Sequence, residues 1–330
     1  MDVIHFPEDP RPAAWRLPVL ALGNFDGLHR GHVKIIERIQ RGAGERGGTS
    51  VVLTFDPHPP RVLRPDKAPP LLMTKAQKLD ALARAGVYGT AVVRFTPAMS
   101  QWEPERFVRT VLVEWLRVAE VWVGADFLFG RDRSGNFSLL RSLGAQHGFR
   151  AEKIDSIRYK DFIVSSTRIR RLVSEGRVDE AGALLGHHYA IEGLVIEGAK
   201  RGREIGFPTA NLATENELLP PHGVYATAVA IDGALHPGVT NIGRRPTFGE
   251  QLTTTIETHV IPFDSRRGDD TAAPLAQGLR PSLDLYGRTL RLAFVQRLRD
   301  ERKFPDIDAL QGQIAADVRR ATRLFDRLSV

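Results

Sequence analysis

The chain has 330 residues, of which 42% are hydrophobic and 26% are charged, a composition typical of a soluble globular protein. It has no cysteine, which excludes disulfides, thiolate nucleophiles and cysteine-based metal sites and suits a reducing cytoplasm. The 46 Lys and Arg residues exceed the 39 Asp and Glu residues, and the resulting net charge of +7 favours anionic partners such as phosphates or nucleic acid.

The length indicates two domains, because 330 residues exceed what one hydrophobic core usually serves. A change in sequence pattern near residue 187 gives predicted domains 1–186 and 187–330. Met1 to Pro12 carries acidic residues and prolines rather than a basic stretch and an apolar core, so we expect no signal peptide. No apolar run approaches the roughly 20 residues of a membrane span. We therefore expect no membrane partner and a cytoplasmic location.

Short β-prone runs alternate with helical patterns through the first half of the chain. This alternation predicts an α/β fold with a parallel, doubly wound sheet, in which ligands bind beyond the carboxyl ends of the strands. The predicted strands are Val19–Leu22, Ser50–Phe55, Thr90–Phe95 and Val118–Val123, and the predicted helices are Val33–Arg46, Lys75–Ala85 and Pro104–Trp115.

The ten residues from Gly23 to His32 connect the first predicted strand to the first predicted helix. Backbone N–H groups at a helix start attract phosphate, and glycine lets a ligand approach the backbone closely. The imidazoles of His29 and His32 can hydrogen-bond phosphoryl oxygens. These features indicate a nucleotide site. The alternative is a tight turn with two surface histidines.

Three further polar segments occupy comparable positions. Thr54–Pro60 follows the second predicted strand, and Gly124–Gly135 follows the fourth. Val164–Arg171 opens another helix with three hydroxyls and several arginines, which suit a triphosphate but also an ordinary helix cap. In combination with the two histidines, these segments favour the phosphate site.

Four of these segments resemble the FMN adenylyltransferase module of the bacterial bifunctional riboflavin kinase/FAD synthetase family. They are Gly23–His32, Phe55–Pro59, Gly124–Gly130 and Ser165–Arg170. That family transfers AMP from ATP to FMN and releases pyrophosphate. The resemblance implies that His29 and His32 are catalytic and stabilise charge on the α- and β-phosphates, while the FMN phosphate itself attacks. Catalysis would then rest on positioning and charge stabilisation, with Mg²⁺ assisting.

The same resemblance implies the ligand contacts of this domain. The flavin cleft is expected to be lined by Phe55, Asp56, Pro57 and His58. The expected ATP-binding residues are Gly23, Phe25, Asp26, Gly27, His29, His32, Asp126, Ser165, Ser166, Thr167 and Arg168. One departure is Gln77, which stands before Lys78 where the family pattern has Glu. We expect this change to alter packing or a surface contact rather than chemistry.

The sequence pattern changes after two helical segments, Thr167–Glu175 and Val178–Leu185. From Tyr189 onward, alternating polar and apolar residues predict antiparallel strands, and an amphipathic tail predicts a helix packed on a small β-barrel. The predicted strands are Tyr189–Glu197, Val224–Ile231, Gly238–Ile242, Thr253–Ile261 and Thr289–Val295, and the predicted tail helix is Ile307–Leu328.

A basic, glycine-rich segment from Gly198 to Gly206 is followed directly by Phe207–Asn211. It predicts a mobile loop for phosphate, with a solvated basic turn as the alternative, and it lacks the Gly-Lys-Ser/Thr ending of a P-loop. The string resembles the riboflavin kinase signature. That resemblance implies ATP contacts by Gly198, Lys200, Gly206, Thr209 and Asn211. The Thr209 hydroxyl and the Asn211 amide oxygen are hard, neutral metal ligands suited to Mg²⁺.

Glu257 stands at the general-base position of the same kinase family, which Gly223–Ala226, Asn241–Phe248 and Ile256–His259 also resemble. Phosphoryl transfer to a primary alcohol needs a group that accepts the hydroxyl proton, and a carboxylate can do this. A Glu in a strand is otherwise usually a surface residue. Ser265–Leu283 interrupts the family pattern, and its Gly, Pro, Ala and charge content predicts a loop without structure of its own.

The resemblance covers nearly the whole chain and implies a two-step enzyme, in which riboflavin and ATP give FMN, and FMN and ATP then give FAD. The expected partners are flavins and ATP, with no nucleic acid, and the oligomeric state is left open. One alternative is a basic nucleic-acid-binding protein that retains a nucleotide pocket. It is disfavoured because Arg and Lys cluster within glycine and hydroxyl motifs rather than along one helix. Another is an adenylyltransferase for a different phosphate ester, which only the kinase signature disfavours.

Overall fold

The computed structural model describes residues 1–198, 201–246, 252–261 and 285–328. Lys200 and the predicted loop Ser265–Leu283 therefore lie outside the described residues. The chain folds as two compact units, 1–166 and 167–330.

A six-stranded parallel sheet forms the centre of the first unit. Its strands are β1 (Asp2–Phe6), β2 (Val19–Leu22), β3 (Ser50–Asp56), β4 (Gly89–Arg94) and β5 (Glu120–Gly124), and, after the short strands β6 (Leu128–Phe129) and β7 (Gly135–Asn136), β8 (Arg150–Ile154). The strand order is β1-β4-β3-β2-β5-β8, and every neighbouring pair runs parallel. The small hairpin of β9 (Arg158–Tyr159) and β10 (Phe162–Ile163) follows. The predicted parallel sheet is confirmed.

Helices connect the strands of this sheet. They are α1 (Arg30–Arg46), α2 (Pro59–Leu63), α3 (Lys75–Arg84), α4 (Pro97–Ser100), α5 (Pro104–Phe107) and α6 (Phe137–His147), with 3₁₀ turns at Pro65–Lys67 and Arg131–Arg133 and a π-helix at Val108–Trp115. Side chains of β2 alternate between two apolar clusters, Leu20 and Leu22 in one and Val19 and Ala21 in the other. The strand is therefore buried on both faces, which explains its uninterrupted apolar sequence.

β2 occupies the switch point of this sheet. It lies between β3 and β5, so the chain leaves β2 on one side and later returns on the other. Loops that follow neighbouring strands diverge at such a point and open a crevice at the carboxyl edge. The turn from β2 to α1, which carries Gly23–His32, lies at this edge.

Two strands of the sheet, β1 and β8, were not predicted. Both are edge strands, and both mix charged with apolar residues, so neither shows the apolar run of a central strand. The predicted helix Pro104–Trp115 is divided into α5 and the π-helix. These differences leave the carboxyl edge of β2, β3 and β5 as the sequence predicted it.

A closed antiparallel barrel forms the second unit, after the helices α7 (Ser166–Ser174) and α8 (Val178–Leu185). Its strands are β11 (Tyr189–Ile196), β12 (Ala210–Thr214), β13 (Gly223–Ile231), β14 (Ala234–Pro246), β15 (Leu252–Val260) and β16 (Thr289–Arg299). They close in the order β11-β12-β15-β14-β13-β16. The helix α10 (Ile307–Leu328) packs on β13, β14 and β16, as the tail pattern predicted. The barrel and its C-terminal helix are confirmed.

Apolar residues of α10 seal one side of the barrel. Val318, Ala321 and Phe325 are buried in a cluster with strand residues such as Val224 and Val239. The strand β12 was not predicted. The short helix α9 (Arg201–Glu204) lies within Gly198–Gly206, which was predicted to be a loop, so the loop prediction is wrong for these four residues. β12 matters most for the site, because it closes the barrel between β11 and β15.

Candidate active sites

The turn between β2 and α1 holds its two histidines in a fixed pair. His29 caps α1, because its Nδ1 accepts a hydrogen bond from the backbone N–H of His32 at 3.3 Å. The two imidazole rings stack with centroids 3.6 Å apart and planes 11° apart. A Cβ at position 31 would approach the His29 ring to 3.1 Å, so Gly31 leaves the room that this imidazole occupies. The pair is thus locked at the amino terminus of the helix.

The electrostatic environment favours a neutral His32. Burial is the main cause that holds the pKa of His32 well below its usual value, and the charges of His29 and Lys78 lower it further. Its Nδ1 is buried and has no hydrogen-bond partner among the residues that the structure describes. Since Nδ1 of His29 accepts a hydrogen bond, the neutral His29 ring carries its proton on Nε2. The pair can therefore donate N–H groups to a phosphoryl oxygen from an uncharged state.

The predicted glycines and Phe25 shape this turn. Phe25 is 1% exposed, and its ring lies 4.9 Å from that of His32. Phe25 has a φ of 50°, which is uncommon outside glycine, and Gly27 has a φ of 86°. A Cβ at Gly23 would approach the Phe25 ring to 3.3 Å. Phe25 therefore packs against His32, and Gly23 leaves room for the Phe25 ring. Contacts of these residues with ATP stay a prediction.

Asp26 fastens the turn to the rest of the unit. Its carboxylate accepts hydrogen bonds from the backbone N–H groups of Leu72 at 3.1 Å and Met73 at 3.3 Å, and the residue is 2% exposed. The hydroxyl of Ser166 donates to the Asp26 carbonyl oxygen at 2.9 Å. A direct ATP contact by Asp26 stays a prediction, while the structure gives it a clear role in holding the turn.

The start of α7 supplies the predicted triphosphate ligands. The structure brings Ser166 to the turn through its hydrogen bond to Asp26. Ser165 and Ser166 are partly buried, and Thr167 and Arg168 are exposed in the first turn of the same helix. Three hydroxyls and a guanidinium thus occur at one helix amino terminus, an arrangement suited to an anion.

The remaining predicted residues of the first unit lie along the same sheet edge. Asp126 is exposed after β5, and Phe55 and Asp56 end β3. Asp56 forms an ion pair with Lys75 at 2.9 Å. Asp56 and Pro57 line a cleft of about 520 Å³, whose other lining residues are His5, Glu8, Asp9, Lys75, Val92 and Arg94. His58 is 8% exposed and does not line this cleft.

A larger cleft opens where β2 begins, at the opposite end of the strand. It has a volume of about 720 Å³ and is lined by Arg11, Ala13, Trp15, Arg16, Leu17, Pro18, Arg46, Gly47 and Arg117. None of the predicted site residues lines it. The volume of a cleft therefore does not identify the candidate active site in this unit. The carboxyl edge of the sheet is the favoured location of that site, because helix amino termini, hydroxyls and imidazoles converge there.

Lys78 lies close to the histidine pair, although the sequence assigned it no role. It is 9% exposed on α3, and its Nζ donates to the Thr54 hydroxyl at 3.4 Å. That hydroxyl in turn donates to the carbonyl oxygen of Asn24 at 3.1 Å. Burial is the main cause that lowers the pKa of Lys78, and the carboxylates of Asp26 and Asp56 oppose the shift. A buried cation therefore lies directly behind the turn.

In the barrel, strand register brings together the predicted kinase residues. Asn211 of β12 lies directly opposite Glu257 of β15, and Asn241 of β14 lies opposite Glu257 on its other side. Side chains of directly opposed residues share one face, with Cβ atoms about 4.5–5.5 Å apart. Two amides and one carboxylate therefore form a row on the barrel, and Glu257 is only partly buried.

Two glycines let the backbone pass against the predicted metal ligands. A Cβ at Gly198 would lie 2.1 Å from Nδ2 of Asn211. A Cβ at Gly202 would lie 2.4 Å from the Phe207 carbonyl oxygen and 3.1 Å from the Thr209 hydroxyl oxygen. Gly198 thus lies against Asn211 and Gly202 lies close to Thr209, while Lys200 lies outside the described residues. Gly206, with a φ of 80°, follows the end of the short helix α9 by two residues.

His259 supports the same turn and was also missed. Its Nδ1–H donates to the Pro208 carbonyl oxygen at 2.9 Å, and its ring lies 5.5 Å from that of Phe207. Burial lowers the pKa of His259, which favours the neutral ring. A histidine inside a strand pattern offered no signal for this contact. The bond ties the strand of Glu257 to the turn that carries Thr209.

The donor set of the barrel suits a hard cation shared with phosphate. Within the described ranges, no group of three or more His, Cys, Asp or Glu side chains is arranged to hold a metal ion. Asn211 instead offers an amide oxygen on the strand beside Glu257, and Thr209, two residues earlier, offers a hydroxyl. Mg²⁺ is typically held by few protein oxygens together with phosphate oxygens and water, so these residues fit it.

The fold and these two sites define a class of protein in which an α/β nucleotidyltransferase-like unit precedes a kinase barrel. Two family models match the chain, FAD synthetase over residues 11–168 and riboflavin kinase over residues 185–325. Among curated relatives, the bifunctional riboflavin kinase/FMN adenylyltransferase of Escherichia coli (strain K12) is 36% identical over 93% of this chain and 92% of its own length. The enzyme of the same description from Bacillus subtilis (strain 168) is 35% identical over 94% and 93%.

The chain therefore belongs to the family of bifunctional riboflavin kinases/FMN adenylyltransferases. It phosphorylates riboflavin with ATP to FMN, and it adenylylates FMN with a second ATP to FAD and pyrophosphate. The predicted family and both predicted activities are confirmed. Riboflavin, FMN, FAD and ATP are its small-molecule partners.

A solved structure extends the likeness to the whole fold. A Streptococcus pneumoniae protein described as a macrolide-efflux protein is 26% identical, with a TM-score of 0.81 over 96% of this chain and 97% of its own. That description concerns the other protein. In the part of this chain that the structure describes, none of the helices has the length and apolar character needed to cross a membrane.

Proposed function

We propose that the two reactions occur at the two sites described above, with adenylyl transfer in a domain of residues 1–186 and phosphorylation in a domain of residues 187–330. The stacked histidine pair at the start of α1 supports the first assignment. The register that sets Asn211 opposite Glu257 carries the second. The two residue sets share no member, so each chemistry has its own groups.

In adenylyl transfer, an oxygen of the FMN phosphate attacks the α-phosphorus of ATP while the bond to the β-phosphate breaks and pyrophosphate leaves. No side-chain nucleophile is needed. His29 and His32 donate hydrogen bonds to the α- and β-phosphate oxygens, where charge develops. Ser165, Ser166, Thr167 and Arg168 hold the triphosphate at the start of α7. Gly23, Phe25, Asp26, Gly27 and Asp126 shape the nucleotide cleft, and Phe55, Asp56, Pro57 and His58 shape the flavin cleft.

In riboflavin phosphorylation, Glu257 accepts the proton of the primary hydroxyl as its oxygen attacks the γ-phosphorus of ATP and ADP leaves. The row of Asn211, Glu257 and Asn241 places the carboxylate between two amides, which can orient it or the substrate. Gly198, Lys200 and Gly206 belong to the segment that covers the ATP phosphates. Its basic residues offset the negative charge of the nucleotide.

Mg²⁺ is part of this proposal, held by the Thr209 hydroxyl and the Asn211 amide oxygen. When bound, it neutralises charge on the ATP phosphates and orients them for in-line transfer. Because Gly198 has no side chain, the backbone there leaves room for the side chain of Asn211. We also propose a cytoplasmic location without nucleic-acid or membrane partners, in keeping with the absence of cysteine and the use of ATP in both steps.

Two variants test the assignment by a crossed assay. Glu257→Gln keeps size and hydrogen-bonding capacity but cannot accept a proton, so riboflavin phosphorylation should fall by about 10² to 10⁴ while supplied FMN still becomes FAD. His32→Ala should slow FAD formation from FMN by roughly 10² while FMN still forms from riboflavin. Chromatographic separation of riboflavin, FMN and FAD measures both steps in each variant.

The pattern of losses decides the proposal. Retention of kinase activity in Glu257→Gln removes that carboxylate from the mechanism. Retention of FAD formation in His32→Ala removes the histidine pair. Equal loss of both activities in one variant, with unchanged melting temperature, contradicts separate sites. Circular dichroism melts of both variants accompany the assay as the folding control.

A further inference from the structure

Lys78 is a buried cation without a counterion of its own in the described part of the chain. It is 9% exposed, and burial of an ammonium group is costly unless the charge is paired and hydrogen-bonded. An ammonium has three donors. Within the described residues, the Lys78 ammonium makes one hydrogen bond, the 3.4 Å contact to the Thr54 hydroxyl, which is long for an N–H···O bond. Two of its donors therefore have no acceptor among those residues.

The two nearest acidic groups are engaged elsewhere. The Asp26 carboxylate accepts backbone hydrogen bonds from Leu72 and Met73. The Asp56 carboxylate pairs with the exposed ammonium of Lys75 at 2.9 Å. Their fields stabilise Lys78 from a distance. Neither forms an ion pair with it where the structure describes the chain, so positive charge is left over behind the turn.

The position of this charge connects it to the histidine pair. Lys78 is close enough to His32 for its charge to act on that imidazole. Through the Thr54 hydroxyl, its Nζ also contacts the Asn24 carbonyl in the same turn. The imidazoles donate from a neutral state, and the leaving pyrophosphate gains negative charge in the reaction. A fixed cation beside neutral donors would stabilise that charge at no cost of reorganisation.

We propose that Lys78 supplies a fixed positive charge beside the histidine pair of the adenylyl-transfer site and stabilises the anionic phosphate oxygens held by His29 and His32. This inference rests on the proposed function, since it assumes that the histidine pair binds the reacting phosphates. It adds a residue that acts by charge from behind the turn. The buried ammonium is then retained for a ligand and not for the stability of the fold.

Substitutions that remove the charge test this role. Lys78→Met keeps the length of the chain and removes charge and donors, while Lys78→Gln keeps a donor for Thr54. Both should lower kcat/KM for FMN adenylylation by roughly 10², with riboflavin phosphorylation unchanged. Lys34→Met removes an exposed, Glu37-paired lysine of the same unit and should change either rate less than twofold. Full activity in Lys78→Gln would show that the hydrogen bond matters and the charge does not, which overturns the proposal.

Stability separates this role from a structural one. Because the ammonium is desolvated and poorly paired, Lys78→Met should melt at the same temperature as the wild type or higher. A residue kept for structure would lower the melting temperature together with the activity. A clear drop in melting temperature in Lys78→Met that accounts for the lost activity contradicts the proposal.

The absence of cysteine from the chain allows a chemical rescue. Lys78→Cys, unfolded, alkylated with 2-bromoethylamine and refolded, regains an ammonium at nearly the original length, whereas iodoacetamide gives a neutral side chain. Adenylylation should be at least tenfold faster in the aminoethylated sample. Equal rates in the two samples overturn the proposal. Retained FAD formation in His32→Ala, by contrast, contradicts the site assignment itself, whatever the Lys78 variants show.

Discussion

His32 shows how a single residue can combine structural cost and chemical use. Its Nδ1 is buried without a partner among the described residues, and its ring is held between His29 and Phe25. A protonated His32 would place a buried cation in this stack beside Lys78, which is why its pKa lies well below the ordinary value. Burial in this stack therefore stabilises the neutral ring, which is the form that donates an N–H group without carrying a charge.

The depressed pKa makes stability depend on pH in a predictable direction. The unfolded chain binds a proton at this histidine near the ordinary value of about 6.5, whereas the folded chain binds it only at lower pH. The unfolded state therefore binds more protons as pH falls below about 6.5, and the contribution of His32 to stability is lost there. The difference in urea midpoint between wild type and His32→Gln should shift against the wild type from pH 7.5 to pH 5.5. His147→Gln, at an exposed histidine on α6, is the matched control, and a pH-independent difference for His32→Gln contradicts the argument.

For the proposed adenylyl-transfer site, the sequence predicted residues that lie close together along the chain. Gly23 to His32 are ten neighbours, so one turn carries the whole signal. Lys78 acts on His32 from a distant part of the chain, and the family pattern around Gln77 and Lys78 was assigned to packing or a surface contact. Its one sequence signal is its place on the apolar face of α3, four residues before the buried Leu82, where a lysine is unexpected.

Among the elements, β12 positions residues of the proposed kinase site. It sets Asn211 opposite Glu257, and the chain before it approaches so closely that Gly198 has no room for a Cβ. The strand was missed because its five residues, Ala210–Thr214, alternate too weakly and follow a glycine segment. The sequence therefore predicted both partners of the pair but not the register that joins them. Its position became clear only with barrel closure, which is a long-range property.

Substitution of one glycine tests this arrangement. In Gly198→Ala the new Cβ would lie 2.1 Å from Nδ2 of Asn211, so the amide must move. Since displacement by about 1 Å can cost 10² in rate, riboflavin phosphorylation should fall by tenfold or more while FAD formation from FMN is unchanged. Gly312→Ala, at an exposed position of α10 where no described atom lies within 4 Å of the new Cβ, should stabilise by up to about 1 kcal/mol and leave both rates unchanged. Steady-state kinetics of both steps provide the measurement, and full kinase activity in Gly198→Ala would show that Asn211 need not stay in place.

In the whole molecule, the segment α7–α8 carries residues that the proposed function connects to both activities. The start of α7 carries the hydroxyls and the arginine assigned to the triphosphate. α8 buries Val178, Ala181, Leu184 and Leu185 and packs on β11 and β16 of the barrel. The sequence pattern placed the domain boundary after α8, where strand periodicity begins, whereas the compact unit that contains the barrel begins at Thr167 and includes both helices. We therefore expect a cut on either side of this segment to impair one of the two activities.

Four fragments separate these contributions. Fragment 1–186 should form FAD from FMN, while 1–166 should lose this activity, because it ends before Thr167 and Arg168.

Fragments 167–330 and 187–330 both contain the kinase residues, but only the longer one keeps α8. Loss of the buried side chains of Val178, Leu184 and Leu185, each worth about 1.5–3 kcal/mol, should make 187–330 melt well below 167–330 and form FMN more slowly at 37 °C. Melting temperatures and FMN formation by each fragment at 15 and 37 °C provide the measurement. Equal melting temperatures for the two barrel fragments would mean that α8 adds nothing to the barrel, and FAD formation by 1–166 would remove the start of α7 from the adenylyl-transfer site.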